Sequence, residues 1–425
     1  MTIDTATVVE SATLLPRLPQ ALSQRIDIRP VVDALRPLIR AHEKEMEVTR
    51  RLPEQVIAAL YETGTLDAQL PREFNGIEIH PADHVELLFE LGRINGSVAW
   101  VAMIIPGNYP LFPETVQREL MSRDEQWRTA SSSGRHGTAV RVDGGYRFTG
   151  HWVFSSASAW ANYFCGYAQV FGADGTPEDD PVWGGPLMIH GLFFKDDVEY
   201  LDRWDALGLK GTGSGEWKVN DLFVPEKYTG SDSADRAYSD RPFFRDPSWN
   251  GQLQIAATIL GCAQSAIDAF IEVAATKRAN NSFANRAALM GHGELHAVRL
   301  ATAVAKVRSA LEWAKSLAVR AMDAAESGNE LSYEEASIEM QHIPMFAGVV
   351  SREVADILFG IAGADAVRPG PLQRAIRDAM TAGNHTAVIE TGLRPVGQYY
   401  LTKDWDGGPV MDLENSLIMP PPESE

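Results

Sequence analysis

The stretch Thr138-Ala-Val-Arg-Val-Asp-Gly-Gly-Tyr-Arg-Phe-Thr-Gly-His-Trp-Val-Phe154 decides how the chain must be read. Two runs rich in β-branched and aromatic residues flank Asp143-Gly144-Gly145, and this composition predicts a hairpin with a Gly-rich connection. Further strands are expected at Tyr163–Val170, Met188–Phe194 and Trp217–Val224. The Gly-, Pro- and acid-rich stretch Gly172–Asp180 reads as an exposed loop. Short connections between such strands predict an antiparallel barrel or sandwich rather than a parallel sheet.

Working outward, the pattern turns helical on both sides. From about Arg25 to Leu120 apolar residues recur three and four apart, as in Val31, Leu35, Leu38 and Ile39. The run Ser97-Val-Ala-Trp-Val-Ala-Met-Ile-Ile105 is apolar throughout, so its helix should be buried on most sides, and Pro106-Gly107 ends it. Beyond the strands, helices are expected over Leu253–Ala275, Leu289–Ala325, Tyr333–Gly360 and Leu372–Glu390. Leu295, Val298, Ala301, Ala305, Ala310 and Leu311 should form much of one apolar face. Four long helices after a β-domain imply an antiparallel bundle. The expected division is an N-terminal helical domain (1–125), a central β-domain (126–235) and a C-terminal helical bundle (236–425) ending in a flexible Pro420–Glu425 tail.

Composition narrows the function. Among 425 residues, 38 Lys and Arg face 57 Asp and Glu, giving a formal charge of −19. Such a chain repels phosphate backbones and anionic lipid, and its densest basic pair, Arg50–Arg51, sits beside Glu43, Glu45 and Glu47. Nucleic-acid and membrane-surface partners are therefore not expected. Cys165 and Cys262 are too few and too far apart for a disulfide framework or a cysteine metal site. His292 and His296 lack an acidic or cysteine ligand set and read as surface residues, so no metal site is expected. The N-terminus lacks the basic start and apolar stretch of a signal peptide, and no apolar run suggests a membrane span; the expectation is a soluble, cytoplasmic enzyme.

Three segments could carry chemistry. In Gly150–Trp160, strand alternation puts Trp152, Phe154 and Ser156 on one face and His151, Val153 and Ser155 on the other. That is either a wall plus a hydroxyl for a planar aromatic cofactor or a barrel core ending in a polar turn. The run Trp204-Asp-Ala-Leu-Gly-Leu-Lys-Gly-Thr-Gly-Ser-Gly215 interleaves Thr212 and Ser214 with glycines. It could approach a ligand closely or be a plain turn, and it is neither a P-loop nor a Rossmann fingerprint. In Gly370–His385, Arg374, Arg377 and Asp378 are helix neighbours suited to an ion-pair cluster, and His385 lies eight residues beyond Arg377 on what should be the same helix.

In this order and spacing, the segments resemble the acyl-CoA dehydrogenase superfamily over nearly the whole chain. The carrying motifs are Gly-x-Trp-x-Phe-x-Ser (Gly150 to Ser156), Gly-Leu-Lys-Gly-Thr-Gly-Ser (Gly208 to Ser214) with Asp221-Leu-Phe-Val-Pro225, and Pro-Leu-Gln-Arg-x-x-Arg-Asp (Pro371 to Asp378) before Asn-His. The closest likeness is to its two-component, reduced-flavin monooxygenase branch, which includes p-hydroxyphenylacetate hydroxylase oxygenase components, dibenzothiophene monooxygenase and sugar nitrososynthases. The branch point is a carboxylate. Dehydrogenation needs a base to remove a proton α to a thioester. The matching stretch here is Asn384-His-Thr-Ala387, the alternative position falls in Trp249–Gln254, and neither holds an acid; Glu390 lies a turn too far on.

The resemblance implies a mainly α fold with a central β-domain: helical domain, antiparallel β-barrel, four-helix bundle. It implies reduced FMN or FAD delivered by a separate flavin reductase, O2 as co-substrate, and a C4a-hydroperoxide that hydroxylates an aromatic or heteroaromatic small molecule. The alternatives it leaves are N- or S-oxygenation of an amine, amino sugar or thiophene, and an FAD-dependent acyl-CoA dehydrogenase. A homotetramer is implied as well. By the match, Ser156, or Ser155 in its place, would bond the flavin. Trp152, Phe154 and Trp204 would wall the ring, with Thr212 and Ser214 at its edge. Arg278, of this or a neighbouring subunit, would meet the phosphate, and Arg374 and Arg377 join the cofactor-binding set. His385 would act as base or as hydrogen-bond partner of substrate and peroxide; Ser131 and Ser132 are further pocket contacts. Relatives carry a His just after the Ala-Trp helix where this chain has Asn108 and Tyr109, which are taken as its catalytic and substrate-binding substitutes. Ala157 replaces a common Gly.

Overall fold

The computed structural model describes residues 15–123, 126–181, 185–230, 238, 241–245, 247–278, 289–328, 330–388 and 390–402. The helices α1 (Arg29–Thr49), α2 (Glu54–Glu62), α3 (Pro81–Ile94), α4 (Gly96–Ile104) and α5 (Glu114–Met121) come first. Strands follow: β1 (Thr129–Val142), β2 (Gly145–Ser155), β3 (Tyr163–Phe171), β4 (Met188–Phe194), β5 (Glu199–Leu201), β6 (Gly215–Pro225) and β7 (Thr229–Gly230). The chain then returns to helix with α6 (Pro242–Arg245), α7 (Pro247–Thr276), α8 (Glu294–Ser327), α9 (Glu330–Ala362), α10 (Ala364–Val367), α11 (Pro371–Ala382) and α12 (Leu393–Thr402). The order helical, β, helical is the one the sequence predicts. The Pro420–Glu425 tail lies outside the described residues.

The strands form one seven-stranded sheet in the order β5-β6-β2-β1-β3-β4-β7. The quoted hairpin is β1/β2, paired from Gly137↔Gly150 to Val142↔Gly145. One pairing departs from the antiparallel expectation: β1 and β3 run parallel, with Ser131 opposite Cys165. The connection between them passes through β2 and the Ser156–Asn162 turn, long enough to return the chain to the same edge.

Two cores organise the molecule. One fills the sheet, centred on Phe148, Trp152, Phe164, Phe193 and Trp217. The other is continuous from the N-terminal helices into the C-terminal bundle, joining Leu35, Leu60, Leu91 and Val101 to Leu260, Val307, Val350 and Ala379. Helix α7 runs through this second core; its stretch Gly251–Thr276 has a mean hydropathy of 1.3 and is the one described helix apolar enough to span a membrane, but its burial is that of a bundle core. Of the apolar face expected on α8, Ala310 alone is buried and Leu311 is half-buried, while Leu295, Val298, Ala301 and Ala305 are exposed. Ala303, Val307, Ala310 and Ala314 pack inward, whereas Leu295 and Val298 are 61% and 60% exposed.

Helix α4 positions the site. Asn95 caps it, its side-chain oxygen accepting from the Ser97 and Val98 amides at 3.0 and 3.3 Å. Gly96 admits close packing: a Cβ there would lie 2.7 Å from the Cys262 sulfur and 2.9 Å from a Leu209 methyl. Helix α4 is thus wedged between α7 and the Trp204–Gly215 loop, with Trp100 on its far turn.

Candidate active site

The Trp204–Gly215 loop, the end of β2 and helix α4 meet in a row of hydroxyls. Trp100 Nε1 donates to Ser156 Oγ at 3.1 Å. Ser156 Oγ lies 2.9 Å from Ser214 Oγ, which lies 2.7 Å from Thr212 Oγ1. Thr212 Oγ1 in turn donates to the Leu209 carbonyl at 2.8 Å. Thr212 and Ser214 are buried, and Ser156 alone of the three remains half-buried. Ser131 joins this end of the row, its backbone bridging that of Ser156.

Beside the row, Phe154 stands 72% exposed with φ at +54°, its ring edge-on to Trp204 at 6.1 Å. A β-strand phenylalanine in left-handed backbone and facing solvent is unfavourable on both counts. The register irregularity between Trp152 and Ser155 produces it, interrupting alternation and turning Phe154 outward. An exposed aromatic ring next to a half-buried hydroxyl suits a planar, amphipathic ring system, so these residues fit an isoalloxazine.

His385 completes the cluster. It does not lie on the α11 helix as expected: α11 ends at Ala382 with Gly383 at its C-cap, and His385 sits in the turn beyond. There its ring meets the Trp100 indole edge-on, centroids 5.0 Å apart. Its Nδ1 accepts from the Ala387 amide at 3.2 Å. An N–H donor at Nδ1 fixes the neutral tautomer, with the proton on Nε2. Desolvation holds the imidazole down at about 4. At neutral pH His385 is therefore an Nε2–H donor, and its one lone pair is spent on the backbone.

Several expected site residues belong to the framework instead. Trp152 is fully buried in the sheet core, stacked on Trp217 at 4.2 Å with Nε1 donating to the Tyr167 carbonyl. Gly137, Gly150 and Gly166 make room for it, since a Cβ at any of them would lie 2.4–2.6 Å from its ring. Trp152 is not a cofactor wall. Ser155 is buried and accepts from Trp217 Nε1 at 3.0 Å, so it cannot stand in for Ser156. Arg374 pairs with Glu43 at 2.8 Å, and Arg377 pairs with Glu47 at 2.7 Å and donates to the Leu207 carbonyl. Both arginines tie α11 to α1 and the loop rather than offering charge to a phosphate. Tyr109 is buried with its hydroxyl donating to the Gln69 carbonyl at 2.9 Å, so it too is consumed by the fold.

The rest divide more evenly. Asn108, in left-handed backbone with φ at +67°, donates to Thr129 Oγ1 at 3.3 Å. Ser132 is buried in the fourth pair of the β1/β3 ladder, opposite Gly166. Arg278 is exposed beyond the end of α7, sixteen residues past Cys262 and so about 24 Å further along the axis. It does not reach the hydroxyl row of its own chain. At the second position tested for a carboxylate, Gln254 is buried in a reciprocal amide pair with Gln69, at 3.1 and 2.7 Å. The Glu390 side chain lies outside the described residues. Ala157, flagged as a replaced glycine, has φ at +66°, the conformation a glycine would favour.

Two contributors escape the sequence reading. Trp100 joins Ser156 to His385; its one signal is an indole N–H within the otherwise apolar run Val98 to Ile105. Asp378, read as part of an ion-pair cluster, is buried and accepts from the Leu209 amide at 2.6 Å. Desolvation raises its carboxyl to about 6. A separate surface cleft of about 410 Å3, carrying Arg123, Arg128 and Lys195 beside Phe194, opens at the start of β1 and β3 and does not include the hydroxyl row.

Comparison with known proteins gives one domain match and a set of relatives. Residues 253–390 match the model of the acyl-CoA dehydrogenase C-terminal domain. The crystal structure of 3-HSA hydroxylase from Rhodococcus sp. RHA1 superposes with a TM-score of 0.80 at 27% identity, covering 91% of this chain and 99% of that one. Over that C-terminal stretch the chain matches the acyl-CoA dehydrogenase superfamily, and over nearly its whole length it shares the fold of that hydroxylase. The chain is 29% identical over 374 residues to the flavin-dependent monooxygenase oxygenase subunit HsaA of Mycobacterium tuberculosis, covering 84% of this chain and 90% of that one. It is 26% identical over 410 residues to the oxygenase component of an FADH2-dependent resorcinol hydroxylase from Rhizobium, with 90% and 98% covered. The superfamily likeness read from the motifs holds, and these relatives lie on its monooxygenase side.

Proposed function

We propose that this chain is the oxygenase component of a two-component flavin-dependent monooxygenase that hydroxylates an aromatic small molecule. The observation that carries the reading is the convergence of Ser156 and His385 on the two edges of Trp100. Bound reduced flavin would supply the electrons that activate O2. Phe154 and Trp204 would flank its ring and Ser156 would bond it. The chain's own residues do the rest. The apolar α4 wall excludes water, which strengthens every hydrogen bond in the pocket. His385 Nε2–H donates to developing negative charge on oxygen, the role of a preorganised electrophilic donor rather than of a base.

Reduced FAD is the favoured cofactor, supported by the resorcinol hydroxylase relative, with reduced FMN as the alternative; a separate reductase would deliver it. A homotetramer is supported by exposed apolar side chains on three bundle helices, Ile271 on α7, Leu295 and Val298 on α8 and Phe359 on α9, surface that further copies would cover. In such an assembly Arg278 of one subunit would serve the flavin phosphate of another. The pairing of Gln254 with Gln69 weighs against acyl-CoA dehydrogenation. The test is a screen of phenols, indoles and fused heteroaromatics with reductase, NADH and both flavins, reading a mass gain of one oxygen. Oxidation of acyl-CoA thioesters instead, with no oxygenated product, would overturn the assignment.

A further inference from the structure

The hydroxyl row has a direction, and a single backbone residue sets it. Each hydroxyl carries one proton. Thr212 gives its proton to the Leu209 carbonyl, so toward Ser214 it can only accept. Ser214 then donates to Thr212 and can only accept from Ser156. Ser156 in turn donates to Ser214 and accepts from Trp100. The chain of donation runs from Trp100 through Ser156, Ser214 and Thr212 to Leu209, leaving Ser156 an acceptor lone pair and no proton for a ligand.

Leu209 ends this row from an unfavourable conformation. Its φ is +52°, left-handed backbone that a leucine rarely adopts. Its amide is held by Asp378 at 2.6 Å, and its carbonyl also accepts from Trp204 Nε1 at 3.2 Å. Asp378 is seven residues before His385, and His385 touches Trp100 at the opposite end of the row. One short segment of chain therefore braces both ends.

We propose that Asp378 is a positioning residue that, by holding Leu209 left-handed, orients the hydroxyl row so that Ser156 accepts and thereby selects the reduced over the oxidised state of the flavin. The proposal rests on the flavin reading above. Reduced flavin carries an N–H at N5 that needs an acceptor, whereas oxidised flavin carries a lone pair there that needs a donor. A row locked in the accepting sense matches the first and opposes the second.

Two arms test it. Hydrogen–deuterium exchange of the flavin-free protein reads the tether directly: Asp378→Ala should raise exchange across 209–215 at least tenfold, and Asp378→Asn, whose amide oxygen still accepts, should restore most of the protection. Anaerobic equilibrium binding of reduced and oxidised FMN and FAD then reads the selection. Thr212→Val keeps the side-chain volume but removes the acceptor for Ser214, freeing the row to reverse. It should cut the reduced-to-oxidised affinity ratio about tenfold, as should Asp378→Ala, with Asp378→Asn near wild type. A wild type that prefers reduced flavin together with variants that keep the same ratio would overturn the proposal. A wild type that binds neither state would overturn the flavin reading, while the exchange arm still judges the Asp378 tether.

Discussion

The protonation state of His385 decides what the site can do, and it is directly measurable. In water an imidazole titrates near 6.5, so at pH 6 about three quarters of rings would be charged. Desolvation against Trp100 brings this one to about 4, leaving about 1% charged at pH 6. The Ala387 amide, donating to Nδ1 at 3.2 Å, places the remaining proton on Nε2. Nitrogen-15 NMR of histidine-labelled protein should show an Nε2–H tautomer for His385, assigned by its loss in His385→Gln, with a midpoint about 2 units below a free histidine. Product formation should accordingly show no acidic limb from this residue between pH 5.5 and 8. His385→Ala should slow product formation about 100- to 1000-fold, the range for removing one preorganised donor, with hydrogen peroxide released in place of product. His385→Gln, which can present an N–H of its own, should recover part of that loss. An Nδ1–H tautomer, or a midpoint near 6.5 with a matching limb in the rate profile, would refute the donor role and return His385 to the part of a base.

Three further outcomes follow from the same geometry. Trp152→Leu should destabilise the fold by about 3–5 kcal/mol in urea titration, as for loss of a large buried aromatic, while the flavin affinity of the folded fraction stays unchanged; a selective loss of flavin binding would put Trp152 back in the site. Asp378, faced by Arg374 and Arg377 from its own helix, Glu47 from α1 and Cys262 from α7, has its carboxyl raised from 3.8 to about 6. A raised folded value favours the protonated form, so this contribution to stability is complete below pH 3.8 and fades as pH rises through 6; relative to Asp378→Asn, the wild type should lose about 2 kcal/mol between pH 4 and 7, and parallel stability profiles would contradict it. Tyr109→Phe should cost about 1 kcal/mol for its one buried hydrogen bond and leave product formation intact; a change in substrate KM would show that the hydroxyl contacts substrate.

The strands and long helices were legible because their signals are local. The Asp143-Gly144-Gly145 turn fixes the β1/β2 register within a few residues, and the periodicity of α7 to α9 reports long helices, although on α8 most of the face it marks is exposed. The site was legible in its residue types and less so in their roles. Trp152 reads like a ligand wall from alternation, and only Gly137 and Gly166, which flank it across the sheet, reveal a niche cut for its ring. Phe154 reads as its companion until the register irregularity turns it outward. Arg374 and Arg377 resemble phosphate ligands because their partners, Glu43 and Glu47, lie more than three hundred residues away in sequence. The direction of the hydroxyl row depends on the backbone sign at Leu209, which side-chain pattern does not encode.

As a monooxygenase, this chain should place one atom of molecular oxygen into an aromatic substrate. Turnover under 18O2 with reduced flavin and any phenol or indole that the screen identifies tests it directly. The product should carry one 18O atom per molecule, and none when the label is supplied as water. Label arriving from water, or a product that has lost two hydrogens and gained no oxygen, would contradict the account.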